Sequence, residues 1–319
     1  MISIILPTYN SMEFLTPRLE SIFKQTYTDY EVVVVDSFSK DGTWEKMEEV
    51  AAGDSRYRLF RCEPKGSLNA FNSGVREAKG ELIYIATSDD TMDHDFLEKM
   101  VRRHEETGAP FLFSNLQFVD EEEKEILPGW QGCLLNRLFE KERPTVLKKP
   151  LAGLLHFNSA LSTVWTSLTQ VLAVREIYFE KEFWFPEEYG AIGDYAWDAR
   201  VGLTHDVVYV EDATATWRIH GTQLTNFDLW DPELRKKHLR MSTETLELCR
   251  PDLSQEHYEL GKALIADSQK KWEMESAILG KNGAGPIASN LAKLRRVLGQ
   301  CPDPESNFDE MLSEAYLEY

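Results

Sequence analysis

The chain has 319 residues, 42% of them apolar, and its 54 acidic side chains outnumber 35 basic ones for a formal charge of −19. That excess of carboxylates excludes nucleic acid as a main partner, because phosphate backbones are held by clusters of Lys and Arg. The four cysteines, Cys62, Cys133, Cys249 and Cys301, lie far apart without a Cys-x-x-Cys, which argues against a disulfide framework or a zinc site and suits a reducing cytosol.

In chain order, Ile2 to Leu6 reads as a buried strand. No basic region precedes it, so it is expected as a strand and not a signal peptide. No apolar stretch approaches the length of a bilayer span, so membrane contact is expected only at the periphery. Pro7-Thr8-Tyr9-Asn10 breaks the strand into a loop. Glu13 to Gln25 carries Phe14, Leu15, Leu19, Ile22 and Phe23 at helical spacing. Glu31 to Asp36 is a second strand, apolar on both faces. Ser37 to Thr43 is a polar loop with Gly42, and Thr43 to Ala52 resumes a helix. Tyr57 to Arg61 is a short strand, Pro64-Lys65-Gly66 a turn, and Ser67 to Ala78 a helix containing Gly74.

Gly80 to Asp90 is the stretch around which the rest is organised. Leu82 to Ala86 reads as a strand covered on both faces, and it runs into two adjacent carboxylates, Asp89 and Asp90. Like charges side by side repel unless a cation or donors neutralise them. The carboxyl ends of strands in an open α/β sheet are where ligands bind. The pair therefore suits a hard cation such as Mg²⁺ or Mn²⁺ that also holds phosphate; an exposed turn or a helix N-cap is the alternative. Asp95 to Thr107 follows as a helix through Phe96, Leu97, Met100 and Val101, and Pro110 to Val119 as a strand. This alternation predicts right-handed βαβ units and a mostly parallel sheet, which brings Asp36, Asp89 and Asp90 to one edge.

Asp120 to Glu125 is a charge run expected as a solvated turn between two strands. Residues 126–160 show no clear period, although Trp130, Arg137, Phe139, Lys141, Arg143, Lys148 and Lys149 could shape a pocket or lid as readily as pack. A helix is predicted to open near Asp194, with Asp198 four residues on and on the same face. Val207 to Val210 and Ala213 to His220 read as two strands. From Asp231 the chain reads as helical, over Glu233–Cys249, Gln255–Leu279 and Ala288–Leu298, and the last helix is basic and amphipathic. It is expected to dock on the body or another subunit, with anionic lipid as the alternative.

In this order and spacing, several motifs resemble the inverting family 2 glycosyltransferases with the GT-A fold. They are Pro7-Thr8-Tyr9-Asn10; Glu31 to Asp36 with Ser39-Lys40-Asp41-Gly42-Thr43; Gly66, Asn72, Gly74, Ala78 and Gly80; Ala86-Thr87-Ser88-Asp89-Asp90; Gly193-Asp194; and Arg218-Ile219-His220. The resemblance covers roughly residues 1–225 and leaves the helical tail uncovered. It implies an α/β, Rossmann-like, mixed and mostly parallel sheet flanked by helices, with a C-terminal helical extension. The implied domains are 1–228, with a nucleotide-binding half at 1–119 and an acceptor half at 120–228, then the extension at 229–319.

The resemblance also implies roles. Pro7, Thr8, Tyr9 and Asn10 would line the base and ribose, Asp36 would accept from a pyrimidine ring N–H, and Lys65 would approach the nucleotide. Ser88 would bind the nucleotide-sugar, Asp89 would face the ribose or a metal-bound water, and Asp90 would bind Mn²⁺ or Mg²⁺. His220 would complete the metal shell or touch the diphosphate, and Arg218 would pair with the diphosphate or with surface carboxylates. Asp194 would be the base that deprotonates the acceptor, with Asp198 in reserve. The implied activity is transfer of a sugar from a nucleotide-diphospho-sugar, a UDP-sugar first, to a glycan or lipid-linked saccharide. The implied setting is cytoplasmic, with room for contact at the inner membrane face and for self-association through the C-terminal helices. Ser37, Phe38, Thr87 and Gly193 depart from the family pattern. They leave a catalytically decayed nucleotide-sugar- or glycan-binding relative as the alternative. A nucleotidyltransferase would need a Gly-rich basic loop after the first strand, and Pro7-Thr8-Tyr9-Asn10-Ser11 has neither Gly nor Lys nor Arg.

Overall fold

The computed structural model describes residues 1–127, 145–157, 168–180, 184–223 and 231–279. They form two compact units that interleave along the chain: residues 1–127, 168–180, 184–197 and 208–218 make the first, and 145–157, 198–207, 219–223 and 231–279 the second.

The strands are β1 (Ile2–Thr8), β2 (Tyr30–Asp36), β3 (Tyr57–Arg61), β4 (Leu82–Ile85), β5 (Phe111–Val119), β6 (Glu125–Leu127), β7 (Val146–Leu147, in the second unit), β8 (Val171–Val174) and β9 (Val207–Arg218). In the first unit the order is β3-β2-β1-β4-β8-β5-β9, with β6 hairpinned onto β5. β1, β2, β3 and β4 are mutually parallel, β8 is antiparallel to both β4 and β5, and β9 runs parallel to β5. The mixed, mostly parallel sheet expected from the alternation is therefore present. The stacked apolar runs explain it: every residue of β2 is buried, and Val32 to Val35 have no exposed surface. Helices α1 (Met12–Phe23), α2 (Thr43–Gly53), α3 (Ser67–Glu77) and α4 (Phe96–Thr107) alternate with these strands, and the apolar stripe of each is buried.

Two local expectations need correction. The strand expected over 80–90 holds its ladder only from Leu82 to Ile85, and residues 87–90 turn away at the sheet edge. The two strands expected at 207–210 and 213–220 are one, β9, which ends at Arg218. Its partner register jumps from Val210 to Thr214 between Ser114 and Asn115, and the Asn115 amide closes the bulge on the Glu211 carbonyl. Gly80 is needed for close approach, since a Cβ there would lie 2.5 Å from the Ser3 nitrogen and 2.8 Å from the Met1 oxygen.

In the second unit, α5 (Leu151–Phe157) and α7 (Pro232–Leu248) both pack on α8 (Gln255–Leu279). Helix α6 (Gly193–Thr204) starts in the first unit and continues into the second. Asp231 caps α7 by accepting from the Glu233 N–H, and Pro232 occupies its first turn. Lys148 and Lys149 serve the packing of this unit, since the Lys148 ammonium and the Lys149 N–H both bind Asp206. The helix expected at 288–298 and the aromatic and basic residues Trp130, Arg137, Phe139, Lys141 and Arg143 lie outside the described residues.

Candidate active site

Parallel pairing of β1 and β2 sets Thr8 beside Asp36 at the carboxyl edge. Asp36 is fully buried. Its carboxylate accepts from the Thr8 hydroxyl at 3.0 Å, the Ser39 N–H at 3.0 Å and the Ser39 hydroxyl at 2.5 Å. Ser39 Oγ in turn accepts from the Asn10 N–H, and Asn10 Oδ1 accepts from the Lys40 N–H at 2.8 Å. Asp41 accepts from the Met12 N–H and the Thr43 hydroxyl, and Thr43 Oγ1 accepts from the Ser11 N–H. The loops after β1 and β2 are thereby laced into one surface. Both carry a left-handed residue that is not glycine, Asn10 at φ 50° and Phe38 at φ 58°. Tyr9 is 60% exposed above this floor, as a ring offered for stacking would be.

The β4 end is built differently. The Ala86 N–H still binds the Ile5 carbonyl, and then the chain turns through Thr87, Ser88, Asp89 and Asp90. The Ser11 hydroxyl donates to Ser88 Oγ at 3.1 Å, which ties this turn to the β1 loop. Asp90 is 3% exposed. One of its oxygens accepts from the Thr87 hydroxyl and the other from the Arg218 N–H at 2.9 Å. Burial and then the neighbouring Asp89 charge push the Asp90 carboxyl up to about 7, against the hydroxyl of Thr87, the charge of Arg18 and the N–H of Arg218.

Of the two partners expected for Arg218, the structure shows a carboxylate, Glu123. The Arg218 side chain is 1% exposed, and the guanidinium donates to the carbonyls of Asp89, Asp120 and Glu121 and to the Glu123 carboxylate. It moors the β5–β6 turn to the acidic pair. The run expected as a purely solvated turn is thus anchored at the site.

Asp194 is half-buried in the first turn of α6, where its carboxylate accepts from the Tyr195 N–H at 2.9 Å. The segment leading to it is held by Asn72, which donates to the Phe185 carbonyl and Glu187 and accepts from the Phe185 N–H. Gly193 has a steric reason: a Cβ there would lie 2.4 Å from Leu68 and 2.7 Å from the Pro186 oxygen. The acidic partner that the resemblance puts at this position would not fit. Asp198 is 4% exposed in the same helix and belongs to the second unit. Lys65 is exposed on the turn before α3. His220 belongs to the second unit, where its N–H binds Gln223 and its ring binds Thr222.

The structure therefore brings Thr8, Asn10, Asp36, Ser88, Asp89 and Asp90 to one laced edge. Sequence reasoning missed Ser11, Ser39 and Arg18 as parts of it. Arg18 had a signal, because it interrupts the apolar stripe of α1 between Leu15 and Leu19 yet has no exposed surface. Among the described residues no three His, Cys, Asp or Glu side chains converge on a cation. The Asp89–Asp90 pair nevertheless fits one. It offers two hard oxygen ligands, and a dication would relieve the burial and like charge that disfavour ionised Asp90.

A mixed α/β sheet with a laced carboxyl edge and an acidic pair at its β4 end is the GT-A fold. The chain belongs to glycosyl transferase family 2, whose sequence profile matches residues 3–166. It is 34% identical over 122 residues to the glycosyltransferase GlyG of Streptococcus pneumoniae serotype 4, a match covering 38% of this chain and 40% of GlyG. The matched stretch is thus under half of that relative's length. The S. aureus protein TarS (residues 1–349, in complex with UDP) superposes with a TM-score of 0.62 at 18% identity, over 85% of this chain and 71% of that one. The mannosyltransferase PcManGT from Pyrobaculum calidifontis, in complex with GDP-Man and Mn²⁺, superposes with a TM-score of 0.52 at 18% identity, over 99% and 84%. No helix among the described residues is long and apolar enough to cross a membrane.

Proposed function

We propose that the protein is an inverting glycosyltransferase that moves a sugar from a nucleotide-diphospho-sugar, a UDP-sugar first, to a hydroxyl of a glycan or lipid-linked saccharide. The observation that carries this reading is the shared edge, where buried Asp36 and the Asp89–Asp90 turn are joined through the β1 loop. The structural neighbours bound to UDP and to GDP-Man with Mn²⁺ support it.

Asp36 accepts from a base N–H with the lone-pair capacity that Thr8 and Ser39 leave it. Pro7, Thr8, Tyr9 and Asn10 line base and ribose, with the exposed Tyr9 ring stacking on the base. Lys65 approaches the nucleotide from the turn before α3. Ser88 and Asp89 face the ribose side. Asp90 would hold Mn²⁺ or Mg²⁺, which would supply Lewis-acid neutralisation of the charge that develops on the departing diphosphate. Asp194 takes the proton of the acceptor hydroxyl as the hydroxyl attacks the anomeric carbon on the face opposite the leaving group, and the configuration inverts. Its hydrogen bond from the Tyr195 N–H aims the carboxylate. We place the protein in the cytoplasm, in contact with the inner membrane face where its acceptor is lipid-linked, and self-associated through the helices after residue 229.

The test is donor turnover across a panel of nucleotide sugars with Mn²⁺, in the wild type and in Asp194→Asn. The expected result is turnover with one UDP-sugar, lost in the variant while UDP binding persists. Nucleotide binding without turnover in the wild type would instead identify a binding relative.

A further inference from the structure

Arg18 is buried in the middle of α1, with no exposed surface. A guanidinium taken wholly out of water is normally matched with a carboxylate. Among the described residues its bonds instead go to neutral oxygens: Nε donates to the Thr87 carbonyl at 2.7 Å, Nη2 to Thr169 Oγ1 at 3.0 Å and Nη1 to the Tyr84 hydroxyl at 3.4 Å. The Tyr84 and Thr169 hydroxyls also bond each other at 3.1 Å, so the cation sits in a closed polar cradle beneath the end of β4. The residue it grips most closely, Thr87, opens the acidic turn, and the Thr87 hydroxyl donates to Asp90. One threonine thus links a buried positive charge to a buried negative one: backbone carbonyl to Arg18, side chain to Asp90.

Resting on the donor-site reading above, we propose that Arg18 is a positioning residue for the donor diphosphate. It fixes the 87–90 turn through the Thr87 carbonyl and supplies, from inside the protein, the positive charge that lets two adjacent carboxylates face the phosphate end together. Purely structural burial would not require a cation here, because an uncharged side chain of similar length would fill the space and leave Tyr84 and Thr169 bonded to each other.

The experiment combines hydrogen exchange on the unliganded full chain with UDP titration in Mn²⁺. In Arg18→Met, exchange of the 86–91 amides is expected to rise about tenfold while β1 and β2 keep their protection. UDP affinity in Mn²⁺ is expected to fall about tenfold, the loss of a charge-assisted contact. Arg18→Lys, which keeps the charge but not the fork of donors, recovers part of that loss. Because both residues act through Asp90, Arg18→Met and Thr87→Val combined should lose less than the product of their separate effects. Wild-type UDP affinity in Arg18→Met, or fully multiplicative losses in the double variant, overturns the assignment. If Arg18→Met does not fold, Arg18→Lys with Thr87→Val carries the same comparison. A wild type that binds no UDP in Mn²⁺ defeats the donor reading, and the 86–91 exchange then decides the role of Arg18 alone.

Discussion

Two buried aspartates stand at the same sheet edge, and they are finished to different degrees. Asp36 accepts three hydrogen bonds from Thr8 and Ser39, and no carboxylate adjoins it in the chain. Asp90 accepts two, from Thr87 and Arg218, and has Asp89 beside it. Burial is the same in both places, so the difference lies in the donors and the neighbours. An acceptor that is already solvated by fixed donors can orient a ligand N–H without needing charge from it. A carboxylate pushed up to about 7 by burial and a like charge, against the charge of Arg18, still favours a cation beside it. Under the proposed function the edge would run from a base end, where shape and hydrogen bonding dominate, to a phosphate end, where charge does.

Four measurements would break or sharpen that contrast. Asp194→Asn lies outside it and should cost the most, about a thousandfold in turnover, with UDP affinity retained. Joint loss of binding would move Asp194 into the donor site. Asp90→Asn should cost about a hundredfold in Mn²⁺-dependent turnover. A smaller loss, unchanged by Mn²⁺ concentration, would mean the phosphate end does not depend on this charge. Asp36→Asn keeps the shape but turns one acceptor into a donor, and UDP affinity should fall about tenfold at any Mn²⁺ level. A loss rescued by Mn²⁺ would erase the distinction between the two ends. The smallest effect is on stability. Below the ordinary value of 3.8 the Asp90 carboxyl is protonated in both folded and unfolded chains. Between there and about 7 only the unfolded chain ionises, so this group's contribution declines as pH rises and is lost above the folded value. The unliganded Tm should therefore drop by a few degrees from pH 5 to pH 8, and Asp90→Asn should flatten that slope. An unchanged slope would show that Asp90 is not the group responsible.

Much of this was legible because it depends on periodicity and on residue types with one strong habit. The runs Ile2–Leu6, Glu31–Asp36 and Leu82–Ala86 have no polar face to show water, so they had to become central strands, and the carboxylates at their ends had to meet. Helix Gln255–Leu279 has the bounds its pattern predicts. What stayed hidden was set by partners distant in sequence. β8 inserts between β4 and β5 from residues some sixty positions downstream of β5, and nothing local announces an antiparallel strand there. Arg218 looked like a ligand-facing cation because its chemistry fits phosphate; only the turn at 120–123 shows what it holds. Gly193 looked like the loss of an acidic residue and is explained by the Leu68 methyl and Pro186 oxygen that close on it. Thr87 departs from the family pattern in the sequence, and the structure shows its hydroxyl serving Asp90.

The two left-handed residues in the facing loops, Asn10 and Phe38, set how freely this edge can drift in sequence. A saturation library of residues 8–12 and 36–43 selected for folding should not treat these positions alike. Asparagine tolerates φ near 50° and Oδ1 of Asn10 also binds Lys40, so position 10 should return Asn, Asp and Gly and little else. Phenylalanine gains nothing from φ 58° beyond the stacking of the Arg61 guanidinium on its ring, 5.3 Å from the centroid. Position 38 should therefore return glycine at least as often as the residue now there, with Val, Ile and Thr depleted from both positions.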